Sequence, residues 1–208
     1  MSTTTAEHTD HSHEHAHGHG LGERITHLSA KFGMWLFLGT EILLFGGLFA
    51  AYAIYRARYP EMFIEYHKGL DLTKGTINTF ILLFSSFTMA LAVLYAQRKE
   101  QAKTTLYLGI TFLCGAAFAV MKYFEYSYKF EHHIYPDKNI FYAVYFMTTG
   151  LHMIHVFLGM GIILALIIMN QQGKFVRGRD TAVEVGGLYW HLVDLVWIYL
   201  FPLLYLIG

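Results

Sequence analysis

Five apolar runs dominate this chain. Each meets or exceeds the roughly 20 residues a helix needs to cross about 30 Å of hydrocarbon. They extend from Phe32 to about Tyr55, from about Thr76 to Ala96, from about Thr104 to Phe124, from about Ile140 to Met169 and from about Val183 to Ile207. Runs of that length are helices, because a helix satisfies its own backbone groups where no water is available to do so. The connections are short, so consecutive helices are expected to lie as antiparallel neighbours. The fold expected is all-α: a polytopic membrane protein with five transmembrane helices in residues 31–208 and no second domain. Composition agrees, with 55% hydrophobic and only 14% charged residues, against about 25% charged in ordinary soluble domains.

Lys+Arg and Asp+Glu both number 15, a balance that suggests no nucleic acid and no strongly acidic partner. The single cysteine, Cys114, lies within an apolar run. It excludes an intramolecular disulfide and any cysteine-based zinc or iron–sulfur site.

Residues 1–30 show no apolar periodicity. His8, His11, His13, His15, His17 and His19 alternate with Ser, Glu, Ala and Gly, which reads as a disordered tail. Neutral imidazoles capture zinc, nickel or copper, but a flexible chain preorganises nothing, and a soluble tail with no metal role is the plainer reading. The first apolar run is too long for a signal peptide, so it is expected to serve as its own insertion signal. With the N-terminus inside, eight Lys and Arg residues fall on that side and seven on the other. The seven are interleaved with acids in longer loops, so short basic loops favour N-in and C-out. Trp35, Tyr55, Tyr123, Tyr142, Trp190 and Tyr205 lie near run ends and fit interfacial anchors.

The polar residues inside the runs carry the functional question. In TTGLHMIHVFLGMG, residues Thr148, His152, His155 and Gly159 are spaced by four, three and four, which places them on one helix face. Gly187, His191, Asp194 and Ile198 repeat that spacing. Glu41 lies ten residues beyond Lys31, roughly 15 Å in at about 1.5 Å per residue. His152 lies twelve residues from Ile140, roughly 18 Å from the opposite side. An antiparallel bundle therefore brings Glu41, His152, His155, His191 and Asp194 to similar depths. One buried polar layer is expected, with a carboxyl–imidazole pair between the first and fourth helices and another set in the fifth.

Intramembrane charges are costly and usually face protein or water. Three readings follow: groups paired to fix packing, a metal or haem site, or a proton or ion path. The fifth run offers only His191, so two bis-histidine haems are not supported. A di-iron site of the desaturase kind needs clusters of loop histidines, and outside the tail only His132 and His133 are adjacent. Asn78, Thr79, Ser85, Ser86 and Thr88 suit close helix contact. Lys122 and Glu125 can pair at i, i+3 as an interfacial anchor.

Three stretches then resemble one family. WLFLGTEILLFGGLFAAY (Trp35–Tyr52), TGLHMIHVFLGMG (Thr149–Gly161) and YWHLVDLVWIYLFPLLYL (Tyr189–Leu206) are similar to subunit III of the haem-copper oxidases. NTFILLFSS (Asn78–Ser86) and KYFEY (Lys122–Tyr126) agree in order and spacing. The resemblance covers residues 28–208 and implies a chain with no haem or copper, those belonging to subunits I and II. It implies packing beside subunit I, bound phospholipid in a cleft between helices, and support of proton uptake and enzyme durability. A small subunit IV and a quinol:cytochrome c reductase in a supercomplex are further expected partners. Glu41, His152, His155, His191 and Asp194 match polar positions of the family's motifs, none of them redox ligands. The chain lacks the first two of the seven helices of the mitochondrial form and resembles the shorter bacterial one, in the inner membrane with the N-terminus cytoplasmic. The glutamate in TEILLF leans toward cytochrome c as electron donor over quinol. A membrane metal transporter, resting on the tail and the intramembrane Glu, His and Asp, is the more remote alternative.

Overall fold

A computed structural model describes residues 11–67, 71–173 and 181–206, with side chains from residue 28 onward, His67 excepted. The elements are α1 (His11–Arg58), α2 (Pro60–His67), α3 (Leu72–Gln97), α4 (Gln101–Glu131), α5 (Ile140–Gln171) and α6 (Thr181–Phe201). A π-helical turn, Pro202–Leu206, continues α6. Five helices are long and apolar enough to cross a membrane, spanning Leu28–Arg58, Leu72–Gln97, Gln101–Glu131, Ile140–Gln171 and Thr181–Leu206. The expected all-α, five-span class is the one found.

The ends differ from expectation in physical detail. The sequence sets residues 1–30 apart as a tail; residues 1–10 lie outside the described residues, and the backbone from His11 onward is continuous with α1. The tail histidine side chains, and with them the metal-capture reading, also lie outside the described residues. Helix α4 extends past Phe124 to Glu131 because Lys122, Glu125 and Lys129 point inward rather than ending the helix. The short α2 was not expected; Pro60 suits its first position, where a missing N–H costs nothing. Its Phe63 is fully buried, edge-on to Tyr52 and Phe141 at 5.3 Å each. Asp71 caps α3 by accepting from the Lys74 N–H at 3.2 Å, and Asn139 caps α5 by accepting from Tyr142 at 2.9 Å. Lys99, His133 and Gly173 adopt positive φ just past the ends of α3, α4 and α5, the turn that reverses a chain at a helix C-terminus.

Helices α3–α6 close into a four-helix bundle, each packed on two neighbours, with α6 also carrying α1. The buried residues of α4 are Thr104, Leu108, Thr111, Gly115, Phe118, Lys122, Glu125 and Lys129. Their alternating spacing of four and three keeps one seam facing the bundle axis. One expectation is corrected here: α1 packs on α6 and α5 rather than on α3, the next span in sequence. Its partner is set by Glu41, the one charge in its apolar run, which finds an imidazole on α5.

Trp190 sits fully buried at the centre, admitted by two glycines. A methyl at Gly115 or at Gly159 would lie 2.8 Å from its indole ring. The stripe through His152, His155 and Gly159 is thus a close-packing face, as its spacing suggested. The anchor reading of the aromatics divides. Trp35 and Tyr123 are 62% and 68% exposed, whereas Trp190, Tyr142 and Tyr205 are buried and pack the core.

Candidate functional site

Glu41 reaches from α1 to α5, where its Oε2 lies 2.9 Å from His155 Nε2. His155 Nδ1 is 2.8 Å from the Leu151 carbonyl oxygen. A carbonyl only accepts, so Nδ1 carries a hydrogen and the Nε2–Oε2 contact shares a single proton. It is either an imidazolium donating to a carboxylate or a carboxylic acid donating to a neutral imidazole. Phe45 packs edge-on against the imidazole at 5.2 Å, and Tyr189 donates to the His155 carbonyl at 3.2 Å. The pair lines a cleft of about 610 Å³ between α1, α5 and α6, otherwise walled by Met34, Phe37, Leu158 and Ile162 among others. It is an apolar slot with one proton-sharing pair on its wall.

The other expected site residues do not join this pair. His152 is fully buried edge-on to Phe118 and beside Trp197, at 5.7 and 5.4 Å between ring centroids. Neither of its nitrogens has a hydrogen-bond partner among the described residues. The buried stripe of α6 includes Gly187, Trp190, Asp194 and Trp197, so it is rotated from the one read through His191 and Ile198. Ile198 is exposed. His191 stands at the stripe's edge, its Nδ1 2.7 Å from Ser86 Oγ on α3. Asp194 is buried with both oxygens unpartnered among the described residues. The single polar layer expected from depth is therefore corrected to one bonded pair, one His–Ser contact and two unpartnered groups. Side-chain hydroxyls of α3 do make the helix contacts expected of them: Thr88 with Thr111 at 2.8 Å, Ser85 accepting from Trp190 Nε1 at 3.0 Å, and Thr79 accepting from Trp197 Nε1 at 3.1 Å.

Lys122 and Glu125, expected to pair as an interfacial anchor, belong instead with Lys129 to a second polar centre, and it is buried. Lys122, Glu125 and Lys129 are 1%, 4% and 4% exposed. Glu125 accepts from Lys122 Nζ at 2.8 Å and Lys129 Nζ at 3.0 Å, and from the hydroxyls of Tyr145 at 2.6 Å and Tyr205 at 2.7 Å. Lys122 also donates to the Tyr205 oxygen at 2.8 Å and faces the Trp197 ring at 4.7 Å. The spacing Phe118–Lys122–Glu125–Lys129 was the available signal, because an interfacial anchor has no reason to continue a helix's buried seam. Among the described residues, no three His, Cys, Asp or Glu side chains are grouped to hold a metal ion.

The pattern that defines the cytochrome c oxidase subunit III family matches residues 3–208. The chain is 36% identical over 177 residues to cytochrome c oxidase subunit 3 of Synechocystis sp., covering 85% of this chain and 75% of that one. It is 33% identical over 183 residues to the cytochrome bo(3) ubiquinol oxidase subunit 3 of Pseudomonas aeruginosa, covering 85% and 84%. To the protein of the same name in Buchnera aphidicola it is 28% identical over 186 residues, covering 89% and 90%. Agreement along nearly the whole length, with the five spans in place, makes this chain a member of the cytochrome c oxidase subunit III family, a multi-pass membrane subunit of the haem-copper oxidases.

Proposed function

We propose that this chain is the non-redox subunit III of a proton-pumping terminal oxidase that takes electrons from cytochrome c and reduces dioxygen to water. Haem and copper reside in subunits I and II, and this chain packs beside subunit I in a bacterial inner membrane with its N-terminus cytoplasmic. The observation that carries the reading is the Glu41–His155 pair on the wall of the α1–α5–α6 cleft. An ionisable pair in a slot with apolar walls suits an acyl chain lying alongside it. The charge distribution of such a pair acts on the neighbouring subunit across low-dielectric surroundings. A small subunit IV and a quinol:cytochrome c reductase complete the expected partners.

A second reading, quinol as donor, is favoured by the names of the Pseudomonas and Buchnera relatives. Purification of the complex through a tag on this chain separates the two. Oxygen consumption with reduced cytochrome c but not with quinol supports the first reading, and the reverse supports the second. Glu41→Gln keeps a hydrogen-bonding side chain opposite His155 and is expected to leave the complex assembled while lowering proton uptake efficiency or turnover lifetime. Loss of this chain from the purified complex on that substitution would sink the tuning role.

A further inference from the structure

The N-terminal parts of the α1 and α6 spans and the C-terminal end of α3 enclose a groove of about 360 Å³, lined by Lys31, Gln97, Glu184 and His191 among others. Glu184 holds its mouth together, paired with Lys31 and accepting from Gln97 Nε2 at 2.7 Å. His191 lies two helical turns farther along α6 than Glu184, about 10 Å deeper. With Nδ1 on Ser86, the imidazole has Nε2 left for the groove. One turn beyond His191 on the same helix comes Asp194, whose environment is closed.

Ser85 and Ser86 of α3 adjoin Asp194, and Cys114 is its titratable neighbour from α4. Ser85 is committed to the Leu82 carbonyl and to Trp190, and Ser86 to His191. On α5, His155 is bonded to Glu41 and His152 is held beside Phe118 and Trp197, while Tyr145 is bonded to Glu125. None of these makes a hydrogen bond of full distance and angle to Asp194, whose carboxyl has only the weaker interaction of the Ser85 and Ser86 hydroxyls. A carboxylate ion buried with no donor is far costlier than the neutral acid, so the side chain carries a hydrogen that has one polar exit, toward Ser86.

We propose that Asp194 is a proton-binding site filled and emptied from the groove through His191 and Ser86. The site empties by the reverse of the path that fills it. Filling starts from the ionised carboxyl: a hydronium ion in the groove gives its proton to His191 Nε2 and leaves as water, and the Nδ1–H bond then breaks as that hydrogen passes to Ser86 Oγ. The serine's own O–H hydrogen moves to an Asp194 oxygen, and exchange with groove water resets the imidazole tautomer. The path ends at Asp194, so it stores a proton without conducting one across the bundle. This refines the proton-support role proposed above, but its test does not depend on that role.

The test is infrared difference spectroscopy of the whole complex in membranes on transfer from H₂O to D₂O. A protonated-carboxyl C=O band should be present in the native complex and missing in Asp194→Asn. In His191→Phe the deuterium shift of that band should slow at least tenfold, and Ser86→Ala should act in the same direction if the phenylalanine variant does not assemble. A carboxyl band that survives Asp194→Asn, or exchange at the native rate in both relay variants, would overturn the assignment. Neither readout involves oxygen reduction, so failure here leaves the oxidase reading standing, and failure of that reading leaves this one testable.

Discussion

Two polar regions share the interior of the α3–α6 bundle, and they meet the cost of burial in opposite ways. Near the end of α4, Glu125 receives four donors, and the hydroxyls of Tyr145 and Tyr205 that donate to it also accept from Lys129 and Lys122. Elsewhere in the same interior, both side-chain polar atoms of Asn78, His152 and Asp194 lack hydrogen-bond partners among the described residues. A saturated cluster needs nothing beyond its fold. Unpartnered buried groups cost about 1–3 kcal/mol each, and a bundle built for stability alone would hold leucine there. Structure thus explains the first region, and the second points to hydration or proton exchange.

The comparison breaks most readily at Glu125. Glu125→Ala leaves two ammonium groups buried without their shared carboxylate, a change that typically costs about 3–5 kcal/mol. We expect a lowered melting temperature of the purified complex and reduced retention of this chain. The double-mutant cycle of Glu125→Gln with Lys122→Met should give a coupling of about 0.5–3 kcal/mol. Additive effects would mean that the cluster is not the unit its hydrogen bonds describe.

Next in size is Gly159→Ala. The added methyl would meet Trp190 at 2.8 Å, and overpacking of this kind costs about 1–3 kcal/mol. Because Trp190 donates to Ser85, its displacement should also free that hydroxyl beside Asp194. A melting temperature equal to the native one would show that the indole moves aside without strain.

How much of this was legible beforehand depends on which force set each position. The five spans were readable because segment length against bilayer thickness admits one solution. The Glu41–His155 pair followed from depth and spacing, since a lone charge on an apolar helix must find a partner across a gap of known height. Depth alone could not separate His152 from His155. They lie three residues apart, about 60° short of a full turn on the helix, and which one faces α1 depends on where α1 packs. Short loops suggest sequential neighbours, whereas α1 leaves α3 for α6 and α5. The Lys122–Glu125–Lys129 seam is readable in its period, yet charges near a helix end suggest an interfacial anchor, the reading that Lys122 and Glu125 invite. Nothing in the local sequence announces that Tyr145 and Tyr205, from α5 and the π-helical turn after α6, close over it.

Asp71 offers a smaller effect with a pH signature. Burial pushes its carboxyl up, but the hydrogen bonds and charge of Lys74 outweigh that and hold it below its usual value. A carboxylate with a lower pKa folded than unfolded adds stability above the unfolded value, and the contribution disappears as pH falls through the folded one. Asp71→Ala should therefore cost about 1 kcal/mol near neutral pH through loss of the α3 cap, and less in acid. A melting-temperature difference that does not shrink below about pH 4, the usual carboxylate range, would assign the loss to something other than the charge.

The smallest change is expected at His152, and it is the sharpest test of the contrast. Its imidazole is fully buried against Phe118 and Trp197 with neither nitrogen bonded among the described residues. Leucine is close to it in volume and brings no polar atom, and replacing an unpartnered polar group by an apolar one of similar shape is close to neutral or stabilising. His152→Leu should therefore leave the melting temperature unchanged or raise it by the equivalent of about 1 kcal/mol, where Glu125→Ala lowers it by several times that. A loss above about 2 kcal/mol would mean that His152 has a bonded partner in the assembled membrane complex, water or a neighbouring subunit. The unpartnered region would then be as saturated as the cluster beside it.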